Sequence, residues 1–182
     1  MKRLVLLSFL LFQAMEAGGQ VLRSETGYVR FFSDALIEDI SAENDQASAM
    51  FDLGSGDAVF LIPIMGFEFK KSLMQEHFNE NYLESEKYPE AYFRGKISGY
   101  SPVNTSSKAI AEGEMTIHGV SRKVKIPGTI TKQGGKLILE AVFPIVLKDY
   151  NVEIPRLMFQ NIAEEVEVTV RFGFKGDWTQ DK

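Results

Sequence analysis

The chain has 182 residues, 45% hydrophobic and 12% aromatic, a natural size and composition for one domain with a full core. Its 20 basic against 25 acidic residues argue against sequence-independent nucleic-acid binding, which needs a basic footprint to displace counterions, and against a polybasic membrane anchor. The absence of cysteine excludes disulfides, thiolate zinc sites, cysteine nucleophiles and a lipid-modified cysteine.

The first stretch, "MKRLVLLSFLLFQAMEAGG", sets Lys2 and Arg3 before an apolar run from Leu4 to Phe12 and ends in the small residues Ala17, Gly18 and Gly19. This is the plan of a secretory signal peptide over residues 1–19, cut before Gln20. The run is shorter than the roughly 20 residues a membrane span needs, and nothing later in the chain is long and apolar enough to span. Cleavage would leave 18 basic and 24 acidic residues, a net charge of −6, on residues 20–182. The expected location is the periplasm or another extracytoplasmic space.

Past a turn at "GSGDA" (Gly54 to Ala58), "DAVFLIPIMGFEF" reads as a strand. The next segment, "KSLMQEHFNENYLESEKYPEA", changes period: Met74, Phe78 and Tyr82 recur at helical spacing, Leu73 and His77 lie on an adjacent line, and Pro89 bounds the run. "AYFRGKISGY" returns to strand, "SPVNTSSK" is a loop, and "GEMTIHGVSRKV" is a hairpin candidate. In "KLILEAVFPIVLKD" the residues Leu137, Leu139, Ala141, Phe143, Ile145 and Leu147 share one face, with Gly134-Gly135 as the preceding turn and Pro144 marking a bend or an edge. "EEVEVTVRFGFKG" gives the clearest alternation, with Val166, Val168, Val170, Phe172 and Phe174 on one side and charged or polar residues on the other. One helical excursion in a chain of strands predicts an all-β antiparallel barrel or sandwich with a short helical cover between two strands.

The chain has two histidines. With a four-residue turn at Gly119 to Arg122, Ile117 faces Val124, Met115 faces Ile126, Thr116 faces Lys125, and His118 points outward beside Lys123. An ammonium is a poor companion for a metal, so His118 reads as a turn residue. His77 pairs on its helix only with Glu80, because Glu76 points to another face, and Gln75 and Glu76 do not complete a coordination shell. A packing or capping role follows, and no metal is expected. No serine sits in a nucleophile elbow, no glycine-rich phosphate loop occurs and no carboxylate pair stands out, so no catalytic residue is assigned and no enzyme is expected.

Three stretches, "GYVRFFSDALIEDISAEN", "HFNENYLESEKYPEAYFRGKI" and "GEMTIHGVSRKVKIPG", together with the closing strand, carry a resemblance to the YceI-like family of exported lipocalin-like proteins. The resemblance runs over nearly the whole of residues 20–182 and implies one lipid-binding barrel domain, with a polyisoprenoid chain held inside. It departs from the family at Phe69 to Gln75, "FKKSLMQ", where many members have an Arg-Asp pair ahead of the helix. Any role of that pair does not transfer, and the headgroup stays unassigned.

Periodicity by itself fits a self-filled core better than a cavity, since small barrels do either. The resemblance favours the cavity. It makes Phe60, Ile62, Ile64 and Phe67 of the first strand region, Met74, Phe78 and Tyr82 of the helix, and Phe93 the expected ligand-binding wall. Met115, Ile117, Phe143, Ile145, Val168 and Val170 complete it. Met65, Met74 and Met115 would adapt to an irregular chain, and Tyr82 or Tyr88 would meet a headgroup. The expected function is to hold an isoprenoid lipid or an isoprenoid-quinone tail for sequestration or transport, with no cofactor beyond that ligand. A non-catalytic structural barrel with a filled core and a His-dependent hydrolase or metal enzyme are the alternatives, and a homodimer stays open.

Overall fold

The computed structural model describes residues 20–34, 39–153 and 163–176; the expected signal peptide lies outside them. The strands are β1 (Val21–Ser33), β2 (Ile40–Asn44), β3 (Ser48–Asp52), β4 (Asp57–Pro63), β5 (Glu68–Phe69), β6 (Glu90–Ser98), β7 (Ser106–Ile117), β8 (Val120–Gln133), β9 (Lys136–Val146) and β10 (Glu165–Lys175). Every ladder is antiparallel, and eight strands close a ring in the order β1, β3, β4, β6, β7, β8, β9, β10 and back to β1. The expected antiparallel barrel is therefore the observed fold. Closure leaves no free sheet edge around most of the wall.

Strands β2 and β3 act as two halves of one bent partner of β1. Val29 pairs with Asn44 and Val21 with Asp52, the same register on either side of the break. Gly27 sits at the break, and a Cβ there would lie 2.0 Å from the Ala47 carbonyl oxygen. Only glycine admits so close a backbone. Beyond the break β2 diverges far enough to take β5 on its other edge.

The connections sort the barrel into two ends. At one end lie the β1–β2 connection, residues 64–89, the β7–β8 turn and a 3₁₀ turn at Leu147–Tyr150; at the other lie residues 53–56, the β6–β7 loop and the Gly134-Gly135 turn. The first is called the upper end. Gly134 and Gly135 both have positive φ, as the expected hairpin requires.

Side chains from all round the ring fill the lower half. Phe51, Ile130, Leu137, Phe172 and Phe174 are fully buried there, and Phe51 and Phe174 meet at 6.3 Å between ring centroids. The helical excursion crosses the upper end, but it is shorter than the sequence spacing suggests. An α-helix, α1, covers Ser72–His77, and a single π-helical turn covers Phe78–Tyr82. Glu84 then adopts a positive φ of 43°, which stops the helix well before Pro89. No helix among the described residues is long and apolar enough to cross a membrane.

Candidate functional site

Above the packed half lies a cavity of about 170 Å³ whose exposed lining is entirely apolar. Its floor is set by depth along the barrel axis. On β10, Val166, Val168 and Val170 line the space, whereas Phe172 lies below it, 4.8 Å from Phe60 in an edge-to-face contact. Phe60, expected in the wall, therefore belongs to the packed core beneath it, against Phe93 and Phe172. The other thirteen residues expected in the wall all line the cavity.

Phe78 anchors the helical cover. Its ring stacks on Phe31 at 5.6 Å and meets Phe67 at 5.5 Å and Phe69 at 5.0 Å, so the cover is tied to β1 and β5 by aromatic packing. Met74 and Tyr82 flank it and face the cavity, but Met65 points away and is 58% exposed, which corrects its expected place in the wall. Sequence reasoning also missed Val29 and Phe31 on β1, although "GYVRFFS" alternates plainly enough to have supplied them. Leu147, Tyr150 and Val152 close the far side.

Three tyrosines, Tyr82, Tyr92 and Tyr150, stand in this lining. Burial holds the phenols of Tyr82 and Tyr150 above the ordinary tyrosine value; at Tyr150 the Asp149 carboxylate adds to the effect and Arg122 opposes it. Both stay neutral around pH 7. The lining thus carries no charge that would reward a polar ligand segment inside.

The β7–β8 turn differs from expectation. It is a two-residue turn, with Ile117 paired to Val120, Thr116 to Ser121 and Met115 to Arg122, four places removed from the register that a Gly119–Arg122 turn implies. His118 (φ 50°) and Gly119 (φ 72°) occupy its two central positions, the conformation that lets a two-residue hairpin follow the twist of its strands. His118 does not point outward beside Lys123. Its side chain is only 11% exposed, Nε2 donates to Glu84 Oε2 at 2.8 Å, and Nδ1 lies 3.2 Å from the Tyr150 carbonyl oxygen. Tyr88, expected near a headgroup, instead packs edge-on against the His118 ring at 4.6 Å.

The three non-glycine residues with positive φ among those described are Glu84, His118 and Asn151, and they belong to the three segments that meet at this histidine. His118 therefore pins the end of the helical cover and the Leu147–Tyr150 turn to the β7–β8 hairpin. It remains a turn residue, as expected, but with a fastening role. Truncating it removes the contacts that tie Glu84 and the buried Tyr150 segment to the hairpin, so His118→Ala should cost about 1–3 kcal/mol rather than the roughly 0.5 kcal/mol of an exposed site. Urea unfolding midpoints of the two proteins check this, and an unchanged midpoint would contradict the pin. Among the described residues no group of three or more histidine and carboxylate side chains is placed to hold a metal ion.

Comparison with solved structures places this architecture among known barrels. The chain matches BcnA of Burkholderia cenocepacia with a TM-score of 0.67 at 21% identity, covering 81% of this chain and 95% of that one. It matches a polyisoprenoid-binding domain from Saccharophagus degradans with a TM-score of 0.69 at 13% identity, over 87% and 99% of the two chains. The YceI protein of Campylobacter jejuni matches with a TM-score of 0.57 at 16% identity, over 72% and 82%. No match was found among functionally curated proteins. At these identities the likenesses establish the fold. The YceI-like domain family itself matches residues 21–174, the whole ring from β1 into β10, and the chain belongs to that family.

Proposed function

We propose that this protein binds a polyisoprenoid or isoprenoid-quinone chain in the upper half of the barrel, outside the cytoplasm, and sequesters or transports it without chemical change. The observation that carries the reading is the division of the barrel into a packed lower half and a hollow upper half with a wholly apolar lining. Burying one methylene of such a chain contributes about 0.8 kcal/mol before ordering costs, so a long chain needs only a dry wall. A solved neighbour described as a polyisoprenoid-binding domain shares the architecture. Because the surface exposed inside the cavity is wholly apolar, the headgroup belongs outside it. Mass spectrometry of an organic extract of gently purified protein is the direct test.

Action outside the cytoplasm rests on the signal-peptide pattern of residues 1–19. Intact-mass measurement of the exported protein should find a chain beginning at or near Gln20. Retention of those residues on a membrane-bound product would contradict this part of the reading.

A further inference from the structure

The barrel wall is interrupted between β8 and β9. Strands β8 and β9 pair only from Thr129–Glu140 down to Gln133–Lys136, although β8 continues up to Val120 and β9 to Val146. Over the same height the outer neighbours stay paired, β8 to β7 through Val120–Ile117 and β9 to β10 through Val146–Glu165. The two strands fork. Each separated length contains a proline, Pro127 and Pro144, a residue that cannot donate to a ladder and that sheets confine to edges and bulges.

The fork is closed again at the top. Arg122 Nε donates to the Asp149 carbonyl oxygen at 2.8 Å, and His118 reaches the next carbonyl, that of Tyr150. The result is a window bounded by Arg122 above and Gly128 below, roughly 20 Å long at the ordinary rise of a strand. Behind its β9 edge stand Phe143 and Ile145, which line the cavity and are only partly buried; Val124 and Ile126 stand behind the β8 edge with the same partial exposure. Beside them, on the outer face of β9, Val142 is 54% exposed.

We infer that this window is the passage by which an apolar chain enters and leaves the cavity, sideways, while the helical cover stays fastened. The inference rests on the lipid-binding reading above. Access through the upper end would separate Phe78 from three aromatic rings and His118 from Glu84 and the Tyr150 carbonyl. Passage between β8 and β9 breaks no ladder hydrogen bond, because the facing edges are already unpaired. The headgroup of a chain seated this way would remain at the window, in water.

The absence of cysteine allows a direct test. Extending the register of the paired rungs sets Lys125 opposite Pro144, both exposed and outward-facing. A Lys125→Cys/Pro144→Cys variant, bridged after folding by a short bismaleimide, holds the window shut; a Glu84→Cys/His118→Cys variant bridged in the same way locks the cover. The probe is dansyl-tagged geranylgeraniol, and the readout is its rate of uptake and release relative to the unsubstituted protein, whose cover is still fastened by His118. The window bridge should slow exchange at least tenfold, and the cover bridge should leave it within about twofold. Slowing by the cover bridge, or undiminished exchange through a bridged window, would overturn the window while leaving lipid binding intact. Failure of the unmodified protein to take up the probe would overturn the lipid-binding reading, and the window with it.

Discussion

Phe174→Ala is expected to lower stability by about 3–5 kcal/mol, the ordinary cost of emptying a large aromatic site that cannot collapse. Phe174 is 0% exposed, packs against Phe51, and pairs across the ladders with Ser24 and Leu137 in the lower half of the barrel. Its strand is paired on both sides, with an irregularity in β1 only between Ser24 and Thr26, so little relaxation is available. The upper cavity does not include it, and the variant that remains folded should bind the same ligand with unchanged stoichiometry. Equilibrium urea unfolding beside a binding titration checks both halves of the expectation. A small stability loss accompanied by loss of ligand would mean that the packed and hollow halves have been assigned the wrong way round.

The reciprocal substitutions belong to the upper half. Ile117→Trp and Ile145→Trp each add an indole where the wall borders open space, so each should lower bound lipid several-fold. Both should cost less stability than the roughly 1–3 kcal/mol of overpacking a solid core. The two positions approach the cavity from different elements, the end of β7 and the window edge of β9, so agreement between them is not a local accident. A filled barrel would respond in the opposite order, with marked destabilisation and no lipid to lose. Extracted lipid and urea midpoints measured together on both variants separate these outcomes.

Much of this was legible in the sequence because a strand has only two faces. Val166, Val168, Val170, Phe172 and Phe174 alternate strictly, and all five point inward. Alternation fixes the face but not the depth. Whether an inward residue reaches the cavity or its floor depends on the stagger of neighbouring strands, and for that reason Phe60 and Val168 look equivalent in sequence and lie at different levels in the barrel. The same limit hides the window, for which Pro127 and Pro144 are the local signals.

The β7–β8 turn failed for a different reason. Two-residue turns of this kind favour Asn-Gly or Asp-Gly, and His-Gly is a weak form of the signal. What holds His118 in place is Glu84, 34 residues away, together with the Tyr150 carbonyl, 32 residues away. No local pattern contains those partners. The helix was overextended on similar grounds, since "ESEKY" contains acceptable helix formers and nothing in it announces that Glu84 will turn to meet a histidine.

The central claim is that the hollow upper half holds an isoprenoid chain, and the most direct measurement is native mass spectrometry of gently purified protein followed by lipid identification in its organic extract. The account predicts one long-chain isoprenoid lipid or quinone per polypeptide, released on unfolding and diminished in the Ile117→Trp and Ile145→Trp proteins. A homogeneous apo mass with a lipid-free extract, from protein that also fails to take up an added polyprenol, would contradict it.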